Sequence, residues 1–310
     1  MTIAGIKNYL EKPHGLFFFL NSRGFYNRMP DERFLRKLYR YSLGEEPDFE
    51  HPKNLNEKLN WMKLHDHNPL YTRLADKYAV KQYVSERIGA EHVVPLIGGP
   101  WDSPDEIDFD ALPEQFVLKC THDSGSIVIC RDKSSFDRAA AKEKLRRKLR
   151  QNYYLKDREW AYKDVRRRII AEPYIPSLAN PDSLEYKLTC FDGQVKIITV
   201  CRGVPHASLD ARTNDNYDRE GNHLPWYALY KNAAVEPGLP PQIGQIVEYA
   251  ETLSTGLPQV RCDFYLIDGQ IFFGEFTFYT WAGFIPFEPP EWNDIMGSWL
   301  HLPCDEDGAK

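Results

Sequence analysis

No CxxC pair occurs anywhere in the 310 residues, and the six cysteines (Cys120, Cys130, Cys190, Cys201, Cys262, Cys304) are scattered. A structural zinc site draws its ligands from closely spaced pairs, so that class is excluded. The cysteines read instead as reduced, partly buried thiols in or beside β-rich runs. No apolar run approaches the roughly 20 residues that span a bilayer, and mean hydropathy is −0.54. The stretch Met1 to Lys12 lacks the positive, then apolar, then small layout of a secretion signal. Positive charge is in deficit as well: 39 Lys and Arg face 45 Asp and Glu, a net charge of −6. A general nucleic-acid binder gains its affinity by neutralising phosphates with an excess of cations, so that class is excluded too. There is no internal repeat. These absences leave a soluble, cytoplasmic chain without a transmembrane segment as the expectation.

What is present is ordinary globular material with an aromatic bias. Hydrophobic residues make up 42%, charged residues 27% and aromatics 14%, with 22 prolines. A chain of this length buries a sizeable core without disulfides or metals. The aromatic and proline content suits broad aromatic-lined surfaces and fixed turns, a texture that carbohydrate-handling proteins share with many others.

The first third reads helical. Asp31 precedes Arg33-Phe34-Leu35-Arg36-Lys37-Leu38-Tyr39, whose apolar spacing suits one helix face. Asn56 can cap a second helix carrying Leu59, Trp61, Met62 and Leu64, and a third spans Leu74 to Ile88, stopped by Gly89. The patch Phe17-Phe18-Phe19-Leu20 reads as a core staple, with peripheral membrane contact as the alternative. From Val93 the texture turns to β. Val93–Ile97, Phe116–Cys120 and Ile127–Cys130 are short β-rich runs, and the basic run Ala139–Arg150 is a helix with a solvated face. Ile169–Ile175 reads as a strand ending in a proline-marked turn. Asp192-Gly193 and Asp268-Gly269 each sit between β-formers and predict hairpins. A helix from Pro241 to Leu253 separates them. The pattern is α+β.

Three features carry chemistry. Asp263 and Glu275 are carboxylates inside otherwise apolar strands joined by a tight turn, where an uncompensated charge is costly. Two readings stand side by side: a hard divalent cation such as Mg²⁺, which takes one or two carboxylates plus phosphate oxygens, or an ion pair with Arg261, two residues along the same strand face. Lys119 ends a strand before Ser124-Gly125-Ser126, whose backbone N–H groups can form an anion nest or simply an ordinary polar loop. Glu172, before Pro173-Tyr174-Ile175, either accepts from an adenine amino group or is an exposed strand-end carboxylate.

In order along the chain, Asn56-Glu57-Lys58-Leu59-Asn60-Trp61-Met62-Lys63-Leu64, Asp76-Lys77-Tyr78-Ala79-Val80, Leu112-Pro113-Glu114-Gln115-Phe116-Val117-Leu118-Lys119-Cys120, Arg168-Ile169-Ile170-Ala171-Glu172, Tyr186-Lys187, Arg261-Cys262-Asp263 and Gly274-Glu275-Phe276-Thr277 resemble the TupA-like ATP-grasp family. That family is associated with teichuronopeptide, capsule and exopolysaccharide synthesis. The resemblance implies an α+β ATP-grasp fold with ATP held between two subdomains: 1–110 a helical region and first subdomain, 111–175 a small lid, 176–310 a large subdomain with the metal site. It implies that Lys77 and Lys119 reach the phosphates and that Ser124, Gly125 and Ser126 close over them. Glu172, with the backbone of Tyr174 and Ile175, would form the adenine hinge, and Lys187 (or Glu185) would touch ribose or phosphate. Asp263 and Glu275, with Thr277 where related enzymes carry Asn, would hold Mg²⁺, and Arg261 would stand beside the transferred phosphoryl group. Asp123 departs from the family's usual loop glycine and adds a negative charge beside the triphosphate unless it points away.

The activity this implies is an ATP-dependent carboxylate–amine ligase, making an amide through an acyl phosphate on a uronic acid or other carboxylate of a surface polysaccharide or its precursor. Its substrates would be small molecules or glycans, with possible peripheral contact to membrane-linked glycan machinery and no nucleic acid. Acceptor recognition is expected around His206, Arg212 and Tyr217-Asp218. Two alternatives remain: a glycosyltransferase using Asp108-Phe109-Asp110 or Asp305-Glu306-Asp307 as a metal motif, and a nucleotide-binding scaffold without turnover.

Overall fold

Helices fill the first part of the computed structural model, which describes residues 14–180, 182–203 and 211–303. His206, Cys304 and Asp305-Glu306-Asp307 lie outside the described residues. The helices are α1 (Gly15–Ser22), α2 (Asp31–Leu43), α3 (Leu55–His65), α4 (Pro69–Ala75) and α5 (Ala79–Ile88). In α2, Asp31 and Glu32 occupy the first turn, where the helix dipole favours negative charge, and Gly44 closes the end at φ 81. Phe17 of α1 packs beside Phe34, Leu35, Leu38 and Tyr39 of α2, so this member of the aromatic patch is core.

Two helix boundaries differ from expectation, each for a local reason. The cap of α3 is Asn54, not Asn56, because Glu57 at the third helical position completes a reciprocal capping box with it. Asn56 is buried inside the helix instead. Its Nδ2 donates to Ile285 O at 2.9 Å and its Oδ1 accepts from Ile285 N at 2.8 Å, tying α3 to the C-terminal segment. The stretch Leu74–Ile88 is not one helix. Asp76 Oδ1 accepts from Tyr78 N at 2.8 Å and starts a new helix at Ala79.

The β-rich part forms two antiparallel sheets. The first contains β1 (Gly98–Trp101), β2 (Phe116–Cys120), β3 (Ile127–Cys130) and, after α6 (Arg138–Leu149) and α7 (Tyr154–Asp157), β4 (Ile169–Pro173), in the order β1-β4-β2-β3. Ala141 and Leu145 of α6 pack on it while Arg146 pairs outward with Asp105 and Glu143. The expected strand over Val93–Ile97 is absent. Pro95 has no N–H for a ladder, and the Val94 carbonyl accepts from Lys81 Nζ at 2.6 Å; Val93 makes only an isolated bridge to Phe273, Ile97 N donates to Ala171 O at 2.9 Å, and the named strand begins at Gly98.

The second sheet has six strands: β5 (Leu184–Phe191), β6 (Gln194–Arg202), β7 (Thr213–Tyr217), β8 (His223–Leu224) and, after α8 (Ile243–Ser254), β9 (Gln259–Ile267) and β10 (Gln270–Thr277), ordered β10-β9-β5-β6-β7-β8. A last helix, α9 (Trp292–Trp299), packs on α3. Both Asp-Gly turns have left-handed φ at each residue (49 and 75, then 51 and 81), as a tight hairpin requires. Ile246, Val247, Ala250 and Leu253 of α8 cover one face of the sheet against Leu188, Val260, Cys262 and Phe264. Fully burying each large apolar side chain there contributes about 1.5–3 kcal/mol. The five described cysteines are buried and free. The opposite face of this sheet, bare of helix α8, looks into the space between the two sheets.

Candidate active site

That space is a cavity of about 670 Å³. Strand alternation decides what faces it. On β9, Arg261, Asp263 and Tyr265 point to the cavity side while Val260, Cys262 and Phe264 point to α8; on β5 the partners opposite them are Thr189, Lys187 and Glu185. The register between β9 and β10 then breaks. Phe273 pairs with Phe264 and Phe276 with Cys262, so Gly274 and Glu275 together stand opposite Asp263. This is a β-bulge, a device that re-aims a side chain. Glycine suits its first position, because a Cβ there would lie 2.7 Å from the Tyr265 ring and 3.2 Å from Asp263 O and would force one of them to shift. The second position delivers Glu275 into the cavity lining.

The two carboxylates differ in their partners. Asp263 is 1% exposed. Its Oδ1 accepts from Arg261 Nε at 2.6 Å, and its Oδ2 accepts from Arg261 Nη2 and Lys187 Nζ, both at 2.7 Å. Burial works to raise its pKa, but Arg261 and then Lys187 hold it below the usual value. Burial likewise opposes the charge on Lys187, yet Asp263 lifts that lysine well above its ordinary pKa. Lys187 also pairs with Glu185 at 2.7 Å. Glu275 has no hydrogen bond or ion pair among the described residues. Thr277 stands opposite Arg261 in the register, half-buried and outside the cavity lining.

Across the cavity, Glu172 is 7% exposed and bridges two lysines, Lys81 at 2.6 Å and Lys119 at 2.5 Å. Burial pushes its pKa up, and Lys119 with Lys81 more than offsets this and keeps it low. Both its oxygens are thereby engaged, which leaves the Tyr174 backbone and the Ile175 N–H as the free part of the expected hinge, the Ile175 carbonyl accepting from Leu178 N at 3.2 Å. Lys77 is placed by Asp76, which starts α5 and pairs with Arg168 at 2.9 Å. Lys77 Nζ donates to Asp123 O on the loop after β2. In that loop Ser124 and Gly125 are exposed, Gly125 at φ 91, whereas Asp123 is 1% exposed. The Asp123 carboxylate turns inward, where Ser126 Oγ donates to it and Lys148 Nζ lies 4.0 Å away. The charge that departs from the family pattern therefore points away from the cavity.

All but two of the expected site residues line this one cavity: Lys77, Lys119, Ser124, Gly125, Ser126, Glu172, Tyr174, Ile175, Lys187, Arg261 and Glu275. Asp263 lies beneath the lining and Thr277 beyond it. Lys81 was missed by sequence reasoning, although its spacing of four from Lys77 was a signal. Next to the site lies a buried pair also missed. Lys63 is 3% exposed, its Nζ donating to Asn60 Oδ1, Asp157 O and Ala282 O, and burial brings its pKa down to about 8. Burial raises Glu159 to about 7, with Lys63 opposing.

The acceptor segment is placed differently from expectation. Tyr217 is core, being 3% exposed, because it falls on the α8-facing side of β7; Asp218 accepts from Asn222 in the turn to β8. Arg212 contacts the cavity-lining Tyr230, Nη1 to OH at 3.1 Å. Asp108 Oδ1 accepts from Asp110 N, and Asp110 pairs with Arg138 at 2.7 Å, away from the cavity lining.

Among the described residues no group of three or more His, Cys, Asp or Glu is placed to hold a metal ion. The donor set is Glu275 with its neighbour Asp263, two hard oxygen ligands beside a cluster of lysines. That set fits Mg²⁺, whose remaining positions are usually filled by phosphate oxygens and water. Five cations (Lys77, Lys81, Lys119, Lys187, Arg261) line the cavity against three carboxylates. The apolar side chains Val80, Val117, Ile127, Ile129 and Leu178 line its other part, Ile127 and Ile129 being 41% and 36% exposed.

No functionally curated protein matches the sequence. Among solved structures, the chain is similar to a D-cycloserine synthetase (17% identity, TM-score 0.37, covering 67% of this chain and 63% of that one). It is similar to D-alanine--D-alanine ligase from Bacillus anthracis (16%, 0.36, 66% and 57%) and to N5-carboxyaminoimidazole synthase from Aspergillus clavatus (13%, 0.38, 66% and 44%). The chain thus spans less than two thirds of the length of these structures. The family model described as TupA-like ATPgrasp matches residues 57–301, a span that holds both sheets and every cavity-lining charge, and the chain belongs to that ATP-grasp family.

Proposed function

We propose that the protein is an ATP-dependent carboxylate–amine ligase, and that it acts on a uronic acid or other carboxylate of a surface polysaccharide or its precursor. The observation that carries this reading is the pairing, in one cavity, of a lysine cluster with an unpartnered carboxylate set beside Asp263 on a bulge. In this reading residues 111–175 form a lid over the nucleotide and 176–310 the larger half of the site.

The apolar part of the cavity takes the purine, with the Tyr174 and Ile175 backbone as its hydrogen-bonding edge. Lys77, Lys81 and Lys119 face the phosphates, and the exposed backbone of Ser124 and Gly125 lies over them. Glu275 and Asp263 would hold Mg²⁺, which supplies charge neutralisation across the phosphate oxygens. A carboxylate oxygen of the acceptor attacks the γ-phosphorus and the bond to the β,γ-bridging oxygen breaks, giving an acyl phosphate and ADP. The amine then attacks the acyl carbon, the C–O bond to phosphate breaks, and the nitrogen loses a proton to leave an amide. Little covalent work falls to the protein, whose task is positioning and charge compensation. Arg261, fixed through both its Nε and Nη2 by Asp263, is the rigid fork beside the moving phosphoryl group.

The test is turnover: purified protein with Mg-ATP and panels of carboxylates and amines forms ADP only when both substrates are present. ADP release that needs neither, or stabilisation by a sugar nucleotide and not by ATP, refutes the ligase reading.

A further inference from the structure

We propose that the part of the cavity beyond Glu275 is a saccharide subsite that takes a neutral, hydroxyl-bearing pyranose ring. Its place in a reaction rests on the ligase reading, but its own observations concern a different wall. That wall comes from β7, the segment after β8 and the turn after β10, through Asn214, Trp226, Tyr230, Thr280 and Trp281. No lining residue from Asn214 to Tyr230, or from Thr280 to Met296, is charged. A zwitterionic amino acid or a phosphate would leave charges unpaired there, which is costly. A sugar ring asks for an apolar face and neutral hydrogen-bonding groups, and both are present.

The apolar face is Trp281, 38% exposed, whose ring lies 5.9 Å from that of Tyr230. Trp281 and Ala282 stand at φ 51 and 52. For residues with a Cβ this left-handed conformation costs about 1–2 kcal/mol each. The turn is held there by buried donors of α3: Lys63 Nζ to Ala282 O at 2.6 Å and Asn60 Nδ2 to Gly283 O at 2.8 Å. Strain kept up by such supports presents an indole at a cavity wall and has no evident packing purpose.

The hydrogen-bonding groups are unspent. Trp226 is 8% exposed and its Nε1 has no partner; Asn214 Oδ1 and Thr280 Oγ1 have none either. A buried polar atom left unpaired costs about 1–3 kcal/mol, which ligand hydroxyls would recover. Trp281, Glu275 and Arg261 line the same cavity, so a carboxylate borne by a ring on Trp281 shares that space with the phosphoryl group.

Ligand-observed NMR and tryptophan fluorescence test this with methyl glucuronoside, methyl glucoside and, as a non-sugar carboxylate, N-acetylglutamate, with Mg-ATP affinity measured in parallel. Both glycosides are expected to bind, and Trp281→Ala to weaken both about tenfold or more while Mg-ATP affinity stays unchanged. Trp281→Phe, which keeps an aromatic face, and Thr280→Val, which removes only the hydroxyl, give smaller losses and serve if the alanine variant does not fold. No response to either glycoside up to about 10 mM, a stronger response to N-acetylglutamate, or folded Trp281 variants that bind as wild type overturn the subsite. Glycoside binding with no Mg-ATP binding supports it and refutes the ligase reading instead.

Discussion

Replacing Asp263 by Asn tests its part as the buried counter-ion of Arg261 and Lys187. The substitution keeps the shape and removes one negative charge from a site that is 1% exposed. It leaves Arg261 and Lys187, 2.6 and 2.7 Å away, facing a neutral amide, with only Glu185 still paired to Lys187. Removing one member of a buried ion pair costs about 3–5 kcal/mol. At about 2–4 °C per kcal/mol for a large domain, the melting temperature falls by about 6–20 °C near pH 7. The sign of the pH dependence follows from the lowered pKa of Asp263. Its contribution is full above the ordinary carboxylate pKa of 3.8 and is lost as pH falls through the lower folded value. The gap between wild type and variant should therefore be full at neutral pH and shrink toward acid. Thermal melts by circular dichroism across that range measure both. A variant that melts with wild type at pH 7, or a gap that does not shrink in acid, refutes the account of Asp263 as the buried counter-ion. Glu275→Gln is the matched control: an unpaired carboxylate contributes little to stability, within about 0.5 kcal/mol, so this variant should fold as wild type and lose turnover. Loss of stability in place of turnover would reverse the assignment.

Three further outcomes follow from the same geometry. Lys81→Met should raise the KM for ATP about tenfold with the fold retained, because Lys119 still pairs with Glu172 at 2.5 Å; unchanged KM dismisses Lys81 as a phosphate contact. Gly274→Val places a side chain against the Tyr265 ring and Asp263 O, 2.7 and 3.2 Å from the new Cβ. It should cost about 1–3 kcal/mol in urea unfolding and abolish turnover. Glu159, pushed up to about 7 by burial with Lys63 opposing, binds its proton more tightly folded than unfolded. Wild-type stability should therefore lose ground as pH rises from about 4.5 to 7, and Glu159→Gln should flatten that slope in urea midpoints; an unaltered slope removes Glu159 as its source.

The parts of the fold legible in the sequence were those fixed by short-range rules. Asp192-Gly193 and Asp268-Gly269 both supply the two left-handed residues their hairpins need, and period-2 alternation placed Arg261 and Asp263 on one face. What escaped were features set by distant partners or by competition between neighbours. Asn54 outcompetes Asn56 as a cap because Glu57 is in register with it, and Asp76 breaks a periodic helical run because Arg168, far along the chain, fixes its carboxylate. Lys81 became a site residue only when β4 brought Glu172 to it. The turn at Trp281 and Ala282 has no glycine or asparagine to announce a left-handed backbone. Its supports come from α3, more than two hundred residues earlier.

Of the two readings of the C-terminal carboxylates, ion pair or metal, the ion pair holds for Asp263. Strand alternation alone would give Asp263 and its directly opposite neighbour equal claims on Arg261. The bulge changes this by adding one residue, so that two positions of β10 share one position of β9. Asp263 then stays with Arg261 and Lys187 as the buried counter-ion, and Glu275 is carried past them to the cavity surface without a partner. A charge inside a strand must be compensated. For Asp263 the compensation is direct, through Arg261 and Lys187; Glu275 makes no hydrogen bond or ion pair among the described residues and feels Arg261 only through space. In the proposed reading, the half-buried Glu275 on the wall of this lysine-lined cavity is the carboxylate free to take a cation from outside the chain. Gly274 holds the first position of that bulge, where a Cβ would press on the Tyr265 ring and on Asp263 O, 2.7 and 3.2 Å away.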